Sequence, residues 1–129
     1  MLVPVPDGVN PLSLASASDN LPDAWRAVGP WLAKRPGTPV LIVGGGARSI
    51  GLYAAGMAVA LSAARVDYVD HDPERLAIAE SLGACAIESR PGKGWFGRHC
   101  PPTRKSTVDL VVCQSSDAVF HCLMSSGVV

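Results

Sequence analysis

At 129 residues, with 11 Lys and Arg against 11 Asp and Glu, the chain has room for one domain and carries no net charge. Zero charge and a 5% aromatic share exclude a basic, stacking surface for nucleic acid and a general attraction to anionic membranes. Hydrophobic residues at 48% place the chain in the globular class and argue against disorder, and no run of about 18 apolar residues is present to span a bilayer.

The first eighteen residues are rich in Pro, Ser, Asn and Gly and read as an extended lead-in segment, 1–18, ahead of a domain at 19–129. They lack the basic start and continuous apolar centre of a secretory signal. Asn20 is an expected N-cap for a helix with Pro22 and Asp23 in its first turn. Trp25, Val28 and Leu32 are expected to share its inner face, and Gly29-Pro30 to interrupt it. Arg35-Pro36-Gly37 closes the segment in a turn.

Val40–Val43 is a short continuous apolar run, the pattern of a strand buried on both faces. Gly44-Gly45-Gly46 follows, then a helix from Ser49 to Leu61 whose small residues suit close packing on a sheet. Val66–Asp70 reads as a second strand. Asp72-Pro73-Glu74 opens a helix with Asp at the N-cap and Pro at the first position, and Gly83 ends it. Further strands are expected at Ala84–Ile87 and Val108–Val112, a short helix at Ala118–Met124, and a last strand beginning at Gly127. Residues 89–107 break the rhythm. They hold Arg90, Lys93, Arg98, Arg104 and Lys105 among glycines and prolines, with no acid, and read as a solvated loop.

Cys85, Cys100, Cys113 and Cys122 form no CxxC pair, so a reduced, cytoplasmic setting is the simpler expectation. His99–Cys100 and His121–Cys122 are adjacent pairs, whose side chains point apart on a regular element, so no metal site is expected there. Regular strand–helix alternation predicts an α/β fold with a parallel sheet and right-handed crossovers.

One constellation carries chemistry. The buried strand runs into GGGARSIG at 44–51, the turn opens a helix, and a second strand ends in Asp70, 19 residues after Gly51. Glycine permits a tight turn and close approach of backbone N–H groups to a diphosphate. The helix start adds aligned donors and positive partial charge. An acid ending the second strand accepts hydrogen bonds from ribose hydroxyls and repels a 2′-phosphate, which favours NAD over NADP. The glycine spacing has two frames. Counted back from Gly51, the middle glycine is replaced by Arg48. Counted from the strand end, Gly44 and Gly46 fit and two residues are inserted before Gly51. The second frame is preferred, because the strand end fixes where the donors point; Arg48 then bulges toward a phosphate or toward solvent. The candidate cofactor-binding set is Gly44, Gly46, Ala47, Arg48, Ser49, Ile50, Gly51, Asp70, His71 and Arg75, with Cys113 and Gln114 at the carboxyl edge of the fourth strand. His71 stands beside Asp70 either as a ribose or adenine contact or as an exposed strand-end residue. No catalytic residue is identified.

The stretch from Leu14 to Ile87 resembles the cofactor half of the medium-chain dehydrogenase/reductase family, the zinc-type alcohol dehydrogenases. SDNLPDAW at 18–25, RPGTPVLIVGGGARSIGLYAAGMAVAL at 35–61 and ARVDYVDHDPERLAIAESLGA at 64–84 carry the likeness; VDLVVCQSS at 108–116 carries it more loosely. From Ser89 the chain departs from the family, which usually has a helix where this chain is Gly/Pro-rich. The resemblance implies a Rossmann-like, doubly wound parallel sheet of about five to six strands with helices on both faces. It implies NAD binding, with hydride exchanged between nicotinamide and an alcohol or carbonyl carbon. It also implies a separate catalytic domain, absent here, so that this chain alone is expected to bind cofactor without turnover. Asp19 matches a place where some members carry a zinc ligand, but one carboxylate does not hold catalytic zinc, and zinc is expected only in a parent with the catalytic domain. The expected partners are the dinucleotide, that catalytic domain and a second copy paired through a sheet edge. Two other classes use a glycine turn and a following acid: a stand-alone nucleotide-sensing module and an S-adenosylmethionine-dependent methyltransferase.

Overall fold

The computed structural model describes residues 4–89 and the backbone of a strand at 110–113. Helix α1 (Asn20–Lys34) precedes strand β1 (Val40–Val43). Helix α2 (Ile50–Ala60), strand β2 (Val66–Asp70), helix α3 (Pro73–Ser81), strand β3 (Cys85–Glu88) and strand β4 (Leu110–Cys113) follow. All strand pairs are parallel, in the order β3-β2-β1-β4. The described residues thus supply four of the five to six expected strands. The basic stretch 90–107, the helix at 118–124 and the strand from 127 lie outside the described residues.

Every residue of β1 and β2 is buried, as a continuous apolar run predicts for β1. In β2 the pattern admits two acids, and each is buried with a partner. Asp67 takes a hydrogen bond from Arg65 Nε at 2.7 Å. Asp70 belongs to the site described below. Val40, Ile42, Val66 and Tyr68 alternate along their strands and so project to one sheet face, where they cluster with Ala24, Val28 and Leu32 of α1, Ala54, Ala55 and Ala58 of α2, and Ala79 of α3. The alanines keep α2 close to the strands. At Gly51 a Cβ would lie 3.3 Å from the Tyr68 ring, so the helix start rests almost directly on that ring.

Helix α1 corrects two expectations. It does not break at Gly29-Pro30 but runs on to Lys34. Proline disfavours helix in the residue before it by striking that residue's backbone N–H and Cβ, and Gly29, lacking a Cβ, removes the second of these clashes. Burial of Ala24, Val28 and Leu32 then holds both halves to the core. Trp25 is not on the inner face. It is 47% exposed and lies across Gly29, where a Cβ would come within 2.6–2.8 Å of the indole. Ala24 takes the inner position.

The turn Arg35-Pro36-Gly37-Thr38 forms as expected, with Gly37 at φ +77° and Thr38 N–H donating to the Arg35 carbonyl. Helix α3 is also as expected. Asp72 caps it through bonds from the backbone N–H of Glu74 and Arg75, and Gly83, at φ +91°, ends it. On the outer side of α2, Leu52, Tyr53, Gly56 and Met57 form an apolar groove with Leu21, Ile78 and Leu82. No helix among the described residues is long and apolar enough to cross a membrane.

Candidate functional site

The chain leaves β1, adds β2 and β3 on one side, and returns to place β4 on the other. Strand order therefore reverses at β1, and the crevice beyond the carboxyl ends of β1 and β4 is the usual ligand position in open α/β sheets. Val43 is the register partner of both Val69 and Cys113. The glycine turn, the end of β2 and Cys113 thus reach the same level. Gln114 lies outside the described residues.

Gly44 N–H donates to the Val69 carbonyl at 2.8 Å and pins the turn beside β2. None of the three turn glycines adopts the left-handed region. Glycine is required at Gly44 for space instead: a Cβ there would drive into the Asp70 carboxylate. At Gly46 a Cβ would point into open space, so no close neighbour demands glycine there. Gly46, Ala47 and Arg48 are exposed, while Ser49 and Ile50 are half-buried. Ser49 precedes α2 without a side-chain capping bond. Its Oγ instead accepts a hydrogen bond from Asn20 Nδ2 at 2.8 Å, so Asn20 ties the start of α1 to the turn. Asp19, not Asn20, occupies the N-cap position of α1, and its side chain makes no capping bond.

Asp70 faces the turn with its side chain fully buried. Its Oδ1 accepts from His71 N–H at 2.7 Å, Asp72 N–H at 3.1 Å and Arg75 Nη2 at 2.9 Å. Its Oδ2 accepts from the Tyr68 hydroxyl at 2.9 Å. Arg75 Nη1 also donates to the Gly45 carbonyl at 3.0 Å, so this guanidinium spans from α3 to the glycine turn. Burial, then the hydrogen bond to Asp70 and its charge, push the Tyr68 phenol well above its ordinary 10.0. At Asp72 desolvation acts upward, but the N–H bonds from Arg75 and Glu74 and the charges of Arg75 and Arg48 outweigh it, and the carboxyl sits below its usual 3.8. His71 is exposed, with Nδ1 3.4 Å from Asp70 Oδ1.

The structure brings Gly44, Asp70, His71 and Arg75 together, and the turn residues 46–51 beside them. Tyr68 is a further residue of the site, outside the candidate set. Its signal was present, because residues 68 and 70 of one strand share a face. Gly46 opens to solvent beside exposed Arg48 and the start of α2, which leaves room for a ligand over the turn. The carboxylate at Asp70 fits a ribose diol in kind, though Tyr68 and Arg75 already occupy it. Among the described residues no three His, Cys, Asp or Glu side chains converge as metal ligands do.

No family model matches the chain, and no curated protein matches it. Solved structures do. An alcohol dehydrogenase from Thermus sp. ATN1 is 33% identical with a TM-score of 0.57, over 69% of this chain and 26% of that one. An alcohol dehydrogenase zinc-binding domain protein from Burkholderia ambifaria is 31% identical with a TM-score of 0.59, over 69% of this chain and 24% of that one. An acetophenone reductase from Geotrichum candidum, solved in complex with NAD, is 28% identical with a TM-score of 0.56, over 67% of this chain and 25% of that one. The chain spans about a quarter of the length of each of these. The likeness supports a medium-chain-dehydrogenase-like α/β fold.

Proposed function

We propose that this chain is the dinucleotide-binding part of an alcohol-dehydrogenase-like oxidoreductase and takes NAD(H) in preference to NADP(H). One observation carries the reading: an acid ending β2 is packed against the first glycine of the turn after β1, at the point where strand order reverses. The neighbours, dehydrogenases and a reductase, favour this over a nucleotide sensor or a methyltransferase.

In this reading the open backbone at Gly46 and the start of α2 receive the diphosphate, with Arg48 alongside. Asp70 receives the adenosine ribose, and its charge disfavours a 2′-phosphate. Cys113 and Gln114 stand on the nicotinamide side. The bound cofactor supplies hydride transfer to or from an alcohol or carbonyl carbon. This chain binds and orients it, and a catalytic part supplies the rest of the cleft, with any zinc.

The test is titration of NADH into the 129-residue chain, followed by its fluorescence. Saturable binding is expected, with no turnover of alcohols. The Asp70→Asn variant is expected to lose more NAD affinity than NADP affinity. No saturation at millimolar cofactor overturns the proposal, and equal losses of NAD and NADP overturn the role of Asp70.

A further inference from the structure

We propose that Arg75 is a displaceable plug in the ribose subsite: in the free chain its guanidinium occupies the place of the sugar hydroxyls, and an adenine nucleotide binds by moving it aside. This rests on the reading that the turn holds a dinucleotide.

The Asp70 side chain has no exposed surface. Ribose hydroxyls reach its oxygens only if a present donor leaves. Of the four donors, His71 N–H and Asp72 N–H belong to the backbone that follows β2, and the Tyr68 hydroxyl rises from the same strand face. Arg75 is the exception. It reaches in from α3 on a long side chain and lies between Asp70 and the turn carbonyl at Gly45.

Its seat is also imperfect. Arg75 Nε is buried and makes no hydrogen bond, only a longer ion pair with the Asp72 carboxylate. Asp72 Oδ2, 3.4 Å from Nε and at the more exposed rim of the site, offers a second anionic partner. The guanidinium thus has two carboxylates within reach, one inside and one outside. Leaving Asp70 for Asp72 keeps it paired, and Asp70 then exchanges a guanidinium for ribose hydroxyls.

The consequence is opposite in sign to that of a cofactor-holding arginine. A plug lowers the fraction of binding-competent chains, and apparent affinity falls by that fraction. With about a tenth to a third of chains open, removing the plug tightens binding roughly three- to tenfold.

The experiment compares the wild-type chain with Arg75→Met, which keeps the stem and removes the donors. NAD, AMP and nicotinamide mononucleotide are titrated by calorimetry, with melting curves to establish folding. In parallel the Arg75 Nε–Hε signal of the ¹⁵N-labelled wild type is followed by NMR. Expected are tighter NAD and AMP binding in Arg75→Met, and a shift of the Nε–Hε signal with AMP or NAD but not with nicotinamide mononucleotide. Should Arg75→Met fail to fold, the wild-type signal decides. If wild type binds NAD saturably while Arg75→Met binds equally or more weakly, or while the signal stays still, the plug is overturned and the dinucleotide reading stands. If neither protein binds NAD or AMP, the dinucleotide reading falls, and the plug with it.

Discussion

Gly44 and Tyr68 divide the space around one carboxylate. A methyl at Gly44 has nowhere to go, because Asp70 is held from four directions. Gly44→Ala is therefore expected to destabilise the chain by about 1–3 kcal/mol, as overpacking does, read from the urea midpoint. Tyr68→Phe keeps the ring under Gly51 and removes one donor from a buried carboxylate, at a cost of about 1–3 kcal/mol. The phenol also sets an alkaline limit. Its ionisation is raised above 10.0 in the folded chain, so the unfolded chain gives up that proton first. The stability it contributes is complete below pH 10 and drains away as pH rises through the folded value. Denaturant midpoints of wild type should fall between pH 9 and 11, and those of Tyr68→Phe should fall less.

Among elements, α1 and α3 differ in how much of them local sequence announces. Helix α3 has Asp72 at its cap, Pro73 at its start and Gly83 past its end, each acting within a few residues, and it forms where those signals place it. Because N–H bonds and nearby arginines hold the Asp72 carboxyl below 3.8, its contribution is present above that value and is lost as pH falls through the folded one. Asp72→Ala should lower the melting temperature at pH 7 and narrow the difference between pH 7 and pH 3. Helix α1 is continuous for reasons that are not local. Gly29 relieves a clash, and packing of α1 on α2 and the shared core buries Val28 and Leu32 on both sides of the proline. Pro30 is exposed and denies the Arg26 carbonyl its helical donor, so Pro30→Ala is expected to raise stability, by up to about 3 kcal/mol in denaturant titration. The site divides in the same way. The turn and the acid are legible as a spacing. The closure of Asp70 by Arg75 depends on how α3 docks, and the Asn20–Ser49 bond joins residues 29 apart; no short-range pattern records either.

For the whole molecule, the reversal of strand order at β1 puts the glycine turn and the end of β4 at one rim, and the carboxyl end of β2 joins them. That rim is assembled by topology. The opposite concern is α2, which gives Gly51, Ala54, Ala55 and Ala58 to the core and still presents Leu52, Tyr53 and Met57 to a groove completed by Leu21, Ile78 and Leu82. A segment oily all the way round wets poorly. In a test tube it should light up a naphthalene-sulfonate dye while the chain is still folded, and sulfate salts should cloud the solution early. Met57→Lys, pointed into that furrow, should dim the dye and clear the solution while leaving the NADH titration unchanged.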